Sequence, residues 1–520
     1  MQTGAMITSM NPRTGAPAGE ELEETSPEEV AARCRQAAQA AAGLEALGRH
    51  GRARMLQAMA DALEARRQEA VALADLETAL GGARLEGELT RTTFQLRFFA
   101  EVLEDGAYLE ATIDHAGPSP MGPRPDLRRL LRPLGPVAVF GASNFPFAFS
   151  VPGGDTASAL AAGCPVVVKG HEAHPRTSLL CAEALAEGAA RSGAGEHAVA
   201  VVLGVEAGRR LVLDPSIAGV GFTGSLAGGR LLHELAATRP SPIPFYGELG
   251  ALNALIVCPG AAAQRPEEIA AGLSGSFTLG AGQFCTKPGL ALVPAGPAGD
   301  ALVAALAAEV ASKPSQAMLS ARVANGFLDG SGRLRQVASS RALAEGRPPD
   351  SSEGWWSTPL LLEVGPGALE GTVLEECFGP VLVLVRYASG EQLLQLVDRL
   401  GPALAAAVHA EVRTGPDGLG GEDASLAADL LERLTRKVGR IVWNGYPTGV
   451  AVSWAMHHGG PYPATTDPLH SSVGASAIRR WLRPVAYQDV PEALLPPEVR
   501  DELPAGERLL RRVDGRTRLA

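Results

Sequence analysis

From Gly135 to Thr238 the chain repeats one pattern, and that pattern limits the fold more than any other feature of its 520 residues. "GPVAVFG" is a short apolar strand, and "DTASALAAG" reads as a helix that stops at Gly163. "CPVVVKG" is a second buried strand, "PRTSLLCAEALAEGAARSG" a helix, "AVAVVLG" a strand and "EAGRRLVLD" a helix. "IAGVGFTGS" is a strand with its turn, and "AGGRLLHELAAT" a helix. Strands that alternate with helices at this spacing predict a parallel sheet with helices on both faces. Ligands of such sheets bind beyond the carboxyl ends of the strands. The segments to inspect are therefore "GASNFP", "KGHEAHP", "LGVEAG" and "FTGS".

The remaining chain is arranged around this unit. Residues 1–25 read as a loose arm. At "SPEEV" Ser26 suits a helix cap, Pro27 the first helical position, and Glu29 closes a capping box. From there to about Glu104 the spacing predicts amphipathic packing helices. Residues 111–132, broken by Pro and Gly, read as a protruding hairpin. A second α/β region opens near "ELGALNALIVCPG" and runs to about Leu434. Residues 414–423, "TGPDGLGGED", read as an exposed loop. The Pro-rich tail after Arg483 is expected to pack on this chain's body or on a neighbouring subunit.

Composition excludes several classes. The net charge is −11, from 57 acids and 46 bases, which argues against nucleic acid or an anionic membrane as the main partner. No apolar run of about 18 residues occurs, so no membrane span is expected, and the first residues lack the layout of a secretory signal. Six cysteines are scattered without a C-x-x-C pair, the pattern of a reduced, cytoplasmic chain whose thiols are mostly buried.

Common enzyme signatures are missing: there is no G-x-x-x-x-G-K-[ST], no H-E-x-x-H and no G-x-S-x-G. "HEAH" has the wrong spacing for two metal ligands, so His171 and His174 read as loop residues and no metal site is expected. The adjacent pair His457 and His458 reads as structural or solvent-facing. What remains is an ordered set: Asn144 in "GASNFPF", Lys169 in "VVVKG", Ser225 after "FTG", Glu248 in "FYGELGALN", Cys285 in "GQFCT", and Glu376 and Phe378 in "EECFGP". In this order they resemble the aldehyde dehydrogenase superfamily, and the likeness runs from "NPRTG" near the start to "WLRPVAY" near the end.

The resemblance implies an α/β fold with two parallel-sheet domains and a small oligomerisation element. Residues 1–110 and 133–247 would form the Rossmann-like cofactor domain, 248–465 the catalytic domain, and 111–132 with 466–520 the oligomerisation hairpin and tail of a homodimer or homotetramer. The residue types suit aldehyde oxidation. A thiolate at Cys285 attacks the aldehyde and creates the tetrahedral carbon from which hydride leaves, in a glycine-flanked turn that admits substrate. The Asn144 amide and the Cys285 N–H would hold the oxyanion. Glu248 matches the family's base for hydrolysis of the thioester. Lys169 and Glu376 would bond the adenosine and nicotinamide riboses, Phe378 would pack beside the nicotinamide, and Ser225 at a helix start would meet the pyrophosphate.

"GASNFPFAFSVPGG", "GQFCTKPGL" and "MHHGGPYPATTDP" look most like the branch that oxidises 2-oxoglutarate semialdehyde (2,5-dioxopentanoate). The alternatives are longer aliphatic aldehydes, acyl transfer to coenzyme A, and a non-catalytic scaffold of the same fold. Three positions depart from the pattern. Ala251 ends "ELGA" where the family has Gly, and Lys287 stands where near relatives carry Asn. Glu172, three residues after Lys169, resembles the branches that prefer NAD over NADP: it can accept from a 2′-hydroxyl and repels a 2′-phosphate. The cofactor expected is NAD or NADP, with NAD favoured.

Overall fold

The computed structural model describes residues 5–195, 197–415 and 418–520. From residue 5 onward the arm is pinned rather than loose, and residues 1–4 lie outside the described residues. Met6–Ile7 pairs with Leu22–Glu23, and Met10–Asn11 with Ala16–Pro17. Arg13 reaches Asp75 at 2.8 Å, and Ser9 donates to the buried Glu77 at 2.7 Å. These anchors lie more than 60 residues downstream, beyond any local pattern. The capping box forms as written: Ser26 Oγ accepts from the Glu29 N–H while the Glu29 carboxylate accepts from the Ser26 N–H. Four helices follow, Pro27–Ala46, Gly48–Ala65, Arg67–Thr78 and Gly82–Asp105.

The first sheet has the spatial order Val199–Leu203, Val166–Gly170, Val137–Phe140, Gly219–Thr223, Phe245–Glu248, all parallel. Strand order reverses at Val137–Phe140, which creates a crevice beyond that strand's carboxyl end. "GASNFP" with Asn144 follows this strand directly.

A second sheet begins five residues after Glu248. Its order is Arg341–Glu345, Leu360–Val364, Val381–Tyr387, Pro288–Pro294, Asn253–Val257, Ala403–His409, Val438–Trp443. Only the first of these runs antiparallel to its neighbour. The region extends beyond Leu434 because Val438–Trp443 adds an edge strand. Its Gly and Arg interrupt the apolar run, and it is only half-buried. Arg413–Gly415 and Gly418–Gly420 form a hairpin within the stretch expected to be an exposed loop, of which residues 416–417 lie outside the described residues. That expectation also fails at Asp423. The Asp423 carboxylate is buried and accepts from the N–H groups of Gly260, Ala261 and Glu411 at 2.8–3.1 Å.

The excursion and the tail build a third sheet together: Leu482–Gln488, Leu127–Pro133, Thr112–Asp114, Leu510–Val513, Arg516–Leu519. No helix among the described residues is long and apolar enough to cross a membrane.

Candidate active site

Cys285 lies in the loop between the helix Pro266–Thr278 and the strand Pro288–Pro294. Gly280, Ala281 and Gly282 all have left-handed backbone, with φ of 55°, 58° and 66°, so the chain turns sharply before the thiol. A Cβ at Gly282 would lie 2.4 Å from the backbone of Gly379. Glycine is required there for one loop to pack on another. Two amides hold the loop. Asn253 Nδ2 donates to the carbonyls of Cys285 at 2.8 Å and Lys287 at 3.1 Å, while its Oδ1 accepts from the Ala405 N–H. Asn144 Nδ2 donates to the Gln283 carbonyl at 2.8 Å. An amide nitrogen carries two hydrogens, so Asn144 keeps one for a second acceptor beside the thiol loop.

The Asn144 loop is itself braced by residues that local pattern did not mark. Arg84 donates to the Asn144 carbonyl at 2.6 Å, and Glu88 accepts from the Phe147 and Ala148 N–H groups at 2.8 and 3.0 Å. The helix Gly82–Asp105 that carries both reads in sequence as packing structure.

Glu248 ends the last strand of the first sheet and is buried. Burial pushes its carboxyl up to about 8; Arg480 opposes this and Asp155 adds to it. Its Oε2 has no hydrogen-bond partner among the described residues. Cys285 is half-buried. Burial, and then the negative charges of Glu248 and Glu376, push its thiol up to about 12, so at neutral pH it is protonated. Between the two stands His458, whose Nε2 is 3.7 Å from Cys285 Sγ and 3.9 Å from Glu248 Oε2. His458 is buried, so of the two readings of "HH", structural or solvent-facing, the second fails for it. Nothing in the dipeptide itself could reveal this, since 173 residues separate His458 from Cys285.

Lys287 points away from the sulfur. It is buried and donates to the carbonyls of Cys377 at 3.2 Å and Val381 at 2.8 Å. It thus braces the loop that carries Glu376 and Phe378, and its own ammonium is pushed down by burial. Glu376 is exposed and Phe378 half-buried. Gly250, with φ of 79°, passes so close beneath Glu376 that a Cβ there would lie 2.5 Å from Oε2. Ala251 has ordinary backbone and adds no strain.

The other named residues follow neighbouring strands of the first sheet. Lys169, near the end of Val166–Gly170, is bonded to Glu172. Glu172 borders a cavity of about 480 Å³ lined also by Ile7, Glu24, Gly204, Val205 and Arg209. A concave site of this size beyond the strand ends fits the adenosine half of a dinucleotide. Ser225 is exposed and caps the helix Leu226–Ala237, its Oγ accepting from the Gly228 N–H at 3.3 Å. Lys169, Glu172 and Ser225 make no contact with the Cys285 loop. Asn144, Glu248 and Cys285 converge there, and Glu376 overlies Gly250.

A thiol, a buried carboxylate and an amide donor meet beyond the strand ends, and a cavity that fits half a dinucleotide borders the neighbouring strands; this arrangement suits covalent aldehyde oxidation. Residues 1–460 match the aldehyde dehydrogenase family, and the chain belongs to it. It is thereby an NAD(P)-dependent enzyme. It is 44% identical over 459 residues to alpha-ketoglutaric semialdehyde dehydrogenase 2 of Azospirillum brasilense, covering 87% of this chain and 85% of that one. It is 39% identical over 503 residues to the alpha-ketoglutaric semialdehyde dehydrogenase of Acinetobacter baylyi, covering 96% and 93%. The fold matches PnpE of Pseudomonas sp. WBC-3, solved in complex with nicotinamide adenine dinucleotide, with a TM-score of 0.79 at 22% identity over 94% and 95% of the two chains.

Proposed function

We propose that the chain oxidises 2-oxoglutarate semialdehyde to 2-oxoglutarate. Cys285 is the nucleophile, Asn144 the oxyanion donor and Glu248 the base that activates water against the thioester. Bound NAD(P) supplies the hydride acceptor; Lys169, Glu172, Ser225, Glu376 and Phe378 hold it. The relatives named above support the substrate, and one observation of the site carries it further. Arg91 is half-buried beside Phe149, and its two terminal nitrogens are buried without a partner among the described residues. Its charge acts on Cys285, as does that of Arg440 from the edge strand opposite. Glu88 acts on both Arg84 and Arg91, yet the terminal nitrogens of Arg91 keep no hydrogen-bond partner among the described residues. A buried, unpaired guanidinium is costly unless an anion completes it. An oxo-acid semialdehyde brings that carboxylate, and an aliphatic aldehyde does not. Glu248 favours water over coenzyme A as the acyl acceptor, since a thiol needs no dedicated base.

A panel of aldehydes assayed with NAD and NADP, with and without coenzyme A, tests the reading. Arg91→Leu is expected to lower kcat/KM for the semialdehyde about 10²-fold and to leave hexanal oxidation unchanged; equal losses on both would count against it. NAD is the preferred cofactor in this reading, because the Glu172 carboxylate faces the cavity where a 2′-phosphate would sit. Glu172→Gln is expected to shift the NADP/NAD ratio of kcat/KM about tenfold towards NADP, and an unchanged ratio would remove Glu172 as the selector.

The same reading places the enzyme in the cytoplasm, consistent with six unpaired cysteines. It makes the enzyme a homodimer or dimer of dimers. Leu482–Gln488 is a sheet edge that needs a partner, and in the tail Leu494, and Leu519 on the opposite edge strand, are exposed. Sedimentation of the full chain measures this directly.

A further inference from the structure

We propose that Glu24, on the N-terminal arm, is a second selector against NADP: its carboxylate stands with Glu172 in the cavity beyond the first sheet and repels a 2′-phosphate there. The inference rests on the reading of that cavity as the adenosine site, and adds a residue of the arm to the selection drawn from Glu172.

The arm is a wall of the cavity. Residues 5–8 and Glu24 line it together with Glu172, Val205 and Arg209. Hydrogen bonds fix the arm in that place. The Thr25 N–H donates to the Leu203 carbonyl and the Leu203 N–H to Thr25 Oγ1, each at 2.9 Å. The Glu24 N–H donates to the Ala5 carbonyl, also at 2.9 Å. After Leu203 comes Gly204, with φ of 106°, and a Cβ on it would overlap the Glu24 side chain. The glycine thus leaves Glu24 its seat. Glu24 Oε1 accepts from the N–H groups of Glu206 at 2.8 Å and Ala207 at 3.3 Å, where the helix Val205–Leu213 begins.

What a glutamate adds there is charge. Any side-chain oxygen can accept from the N–H groups of a helix start. That start carries about half a positive unit, and a full negative charge seated on it turns the sum to about half a negative unit. The same charge acts on Lys169, which is bonded to Glu172, so both carboxylates bear on the lysine assigned to the adenosine ribose. The other charges lining the cavity do not cancel this. Glu206 is paired with Arg210 at 3.2 Å, and Arg209 is exposed, where water and salt screen it. A 2′-phosphate brings about 1.5 to 2 negative charges at neutral pH. The 2′-hydroxyl of NAD brings none, so the carboxylates discriminate by charge between two ligands that are otherwise the same.

Calorimetric titration of the full chain with NAD and with NADP tests this without any aldehyde. Glu24→Gln keeps an oxygen for the two N–H groups and removes only the charge. It is expected to shift the ratio of NADP to NAD affinity about tenfold towards NADP. A Glu24 that only holds the helix would leave that ratio at the wild-type value, and this result would overturn the inference. If Glu172→Gln shifts the ratio and Glu24→Gln does not, Glu24 fails alone and the reading of Glu172 stands. If neither shifts it, the cavity is not the adenosine site and both fail. Salt supplies a measurement that needs no change at Glu24. In Glu172→Gln, where Glu24 remains, raising the salt from about 0.05 M to about 0.5 M is expected to screen the repulsion and raise the ratio about threefold. A ratio that stays flat or falls with salt overturns the inference even where the Glu24 variant does not fold.

Discussion

Cys285→Ala is expected to abolish aldehyde-dependent reduction of NAD, a fall of at least about 10⁴-fold, while NAD affinity is retained. Both halves matter. The loss follows because the family chemistry passes through a bond to sulfur, and no other cysteine can replace it: Cys34, Cys164, Cys181, Cys258 and Cys377 are all buried. Retention follows because the Cys285 loop is held by Asn253 and Asn144 through backbone carbonyls, not through the thiol. Removing the sulfur therefore leaves the loop and the packing of Gly282 on Gly379 in place. Turnover by the variant, followed at 340 nm (about the absorbance band of the reduced cofactor) with cofactor binding measured by calorimetry, separates the two. Retained activity would remove Cys285 as nucleophile.

Glu248→Gln is expected to slow steady turnover about 10³-fold but to leave a burst of one reduced cofactor per active site. Glutamine cannot accept a proton from water, so the thioester accumulates. Stopped-flow measurement gives amplitude and slope together; a linear trace at the wild-type rate would rule out Glu248 as base. The sign of the wild-type pH dependence follows from the same residue. Its carboxyl is raised to about 8 by burial. A base acts in its ionised form, so deacylation is full above pH 8 and falls as pH drops through 8. The Gln variant should lose that limb of the profile.

Much of the fold was legible because its signals are local. The apolar runs "VAVF", "VVVKG" and "GVGFT" became adjacent parallel strands, and the Ser26–Glu29 box caps the helix that it predicts. Cys285, Glu248 and Asn144 were singled out by likeness to a family whose spacing they share, and the fold brings the three to one place. The arm at residues 5–25 was misjudged because Asp75, Glu77 and Leu203 hold it. The same holds for Asp423, whose loop composition concealed a carboxylate used by Gly260 and Ala261.

Lys287 shows most clearly where local reading stops. In "CTKPG" a cation two residues from a nucleophile invites an electrostatic role. The chain instead sends the side chain across to the Cys377 and Val381 carbonyls, where it orders the loop of Glu376. His458 is the converse case, a residue with no local signal that lies against both Cys285 and Glu248.

By itself the sequence determined the alternation of strand and helix, the positions of the loops beyond the strand ends, and the residue types available for thiol chemistry. Those properties depend on side-chain periodicity and backbone preference over a few residues. Only the tertiary structure decided which buried charges face which. It placed His458 between Cys285 and Glu248, left Arg91 without a partner, and turned Lys287 away from the thiol. The physical reason is that a buried polar group is settled by whichever neighbours the packed chain brings within reach, and here they lie from 90 residues away, Lys287 to Cys377, to 210, Glu248 to His458 (458 − 248).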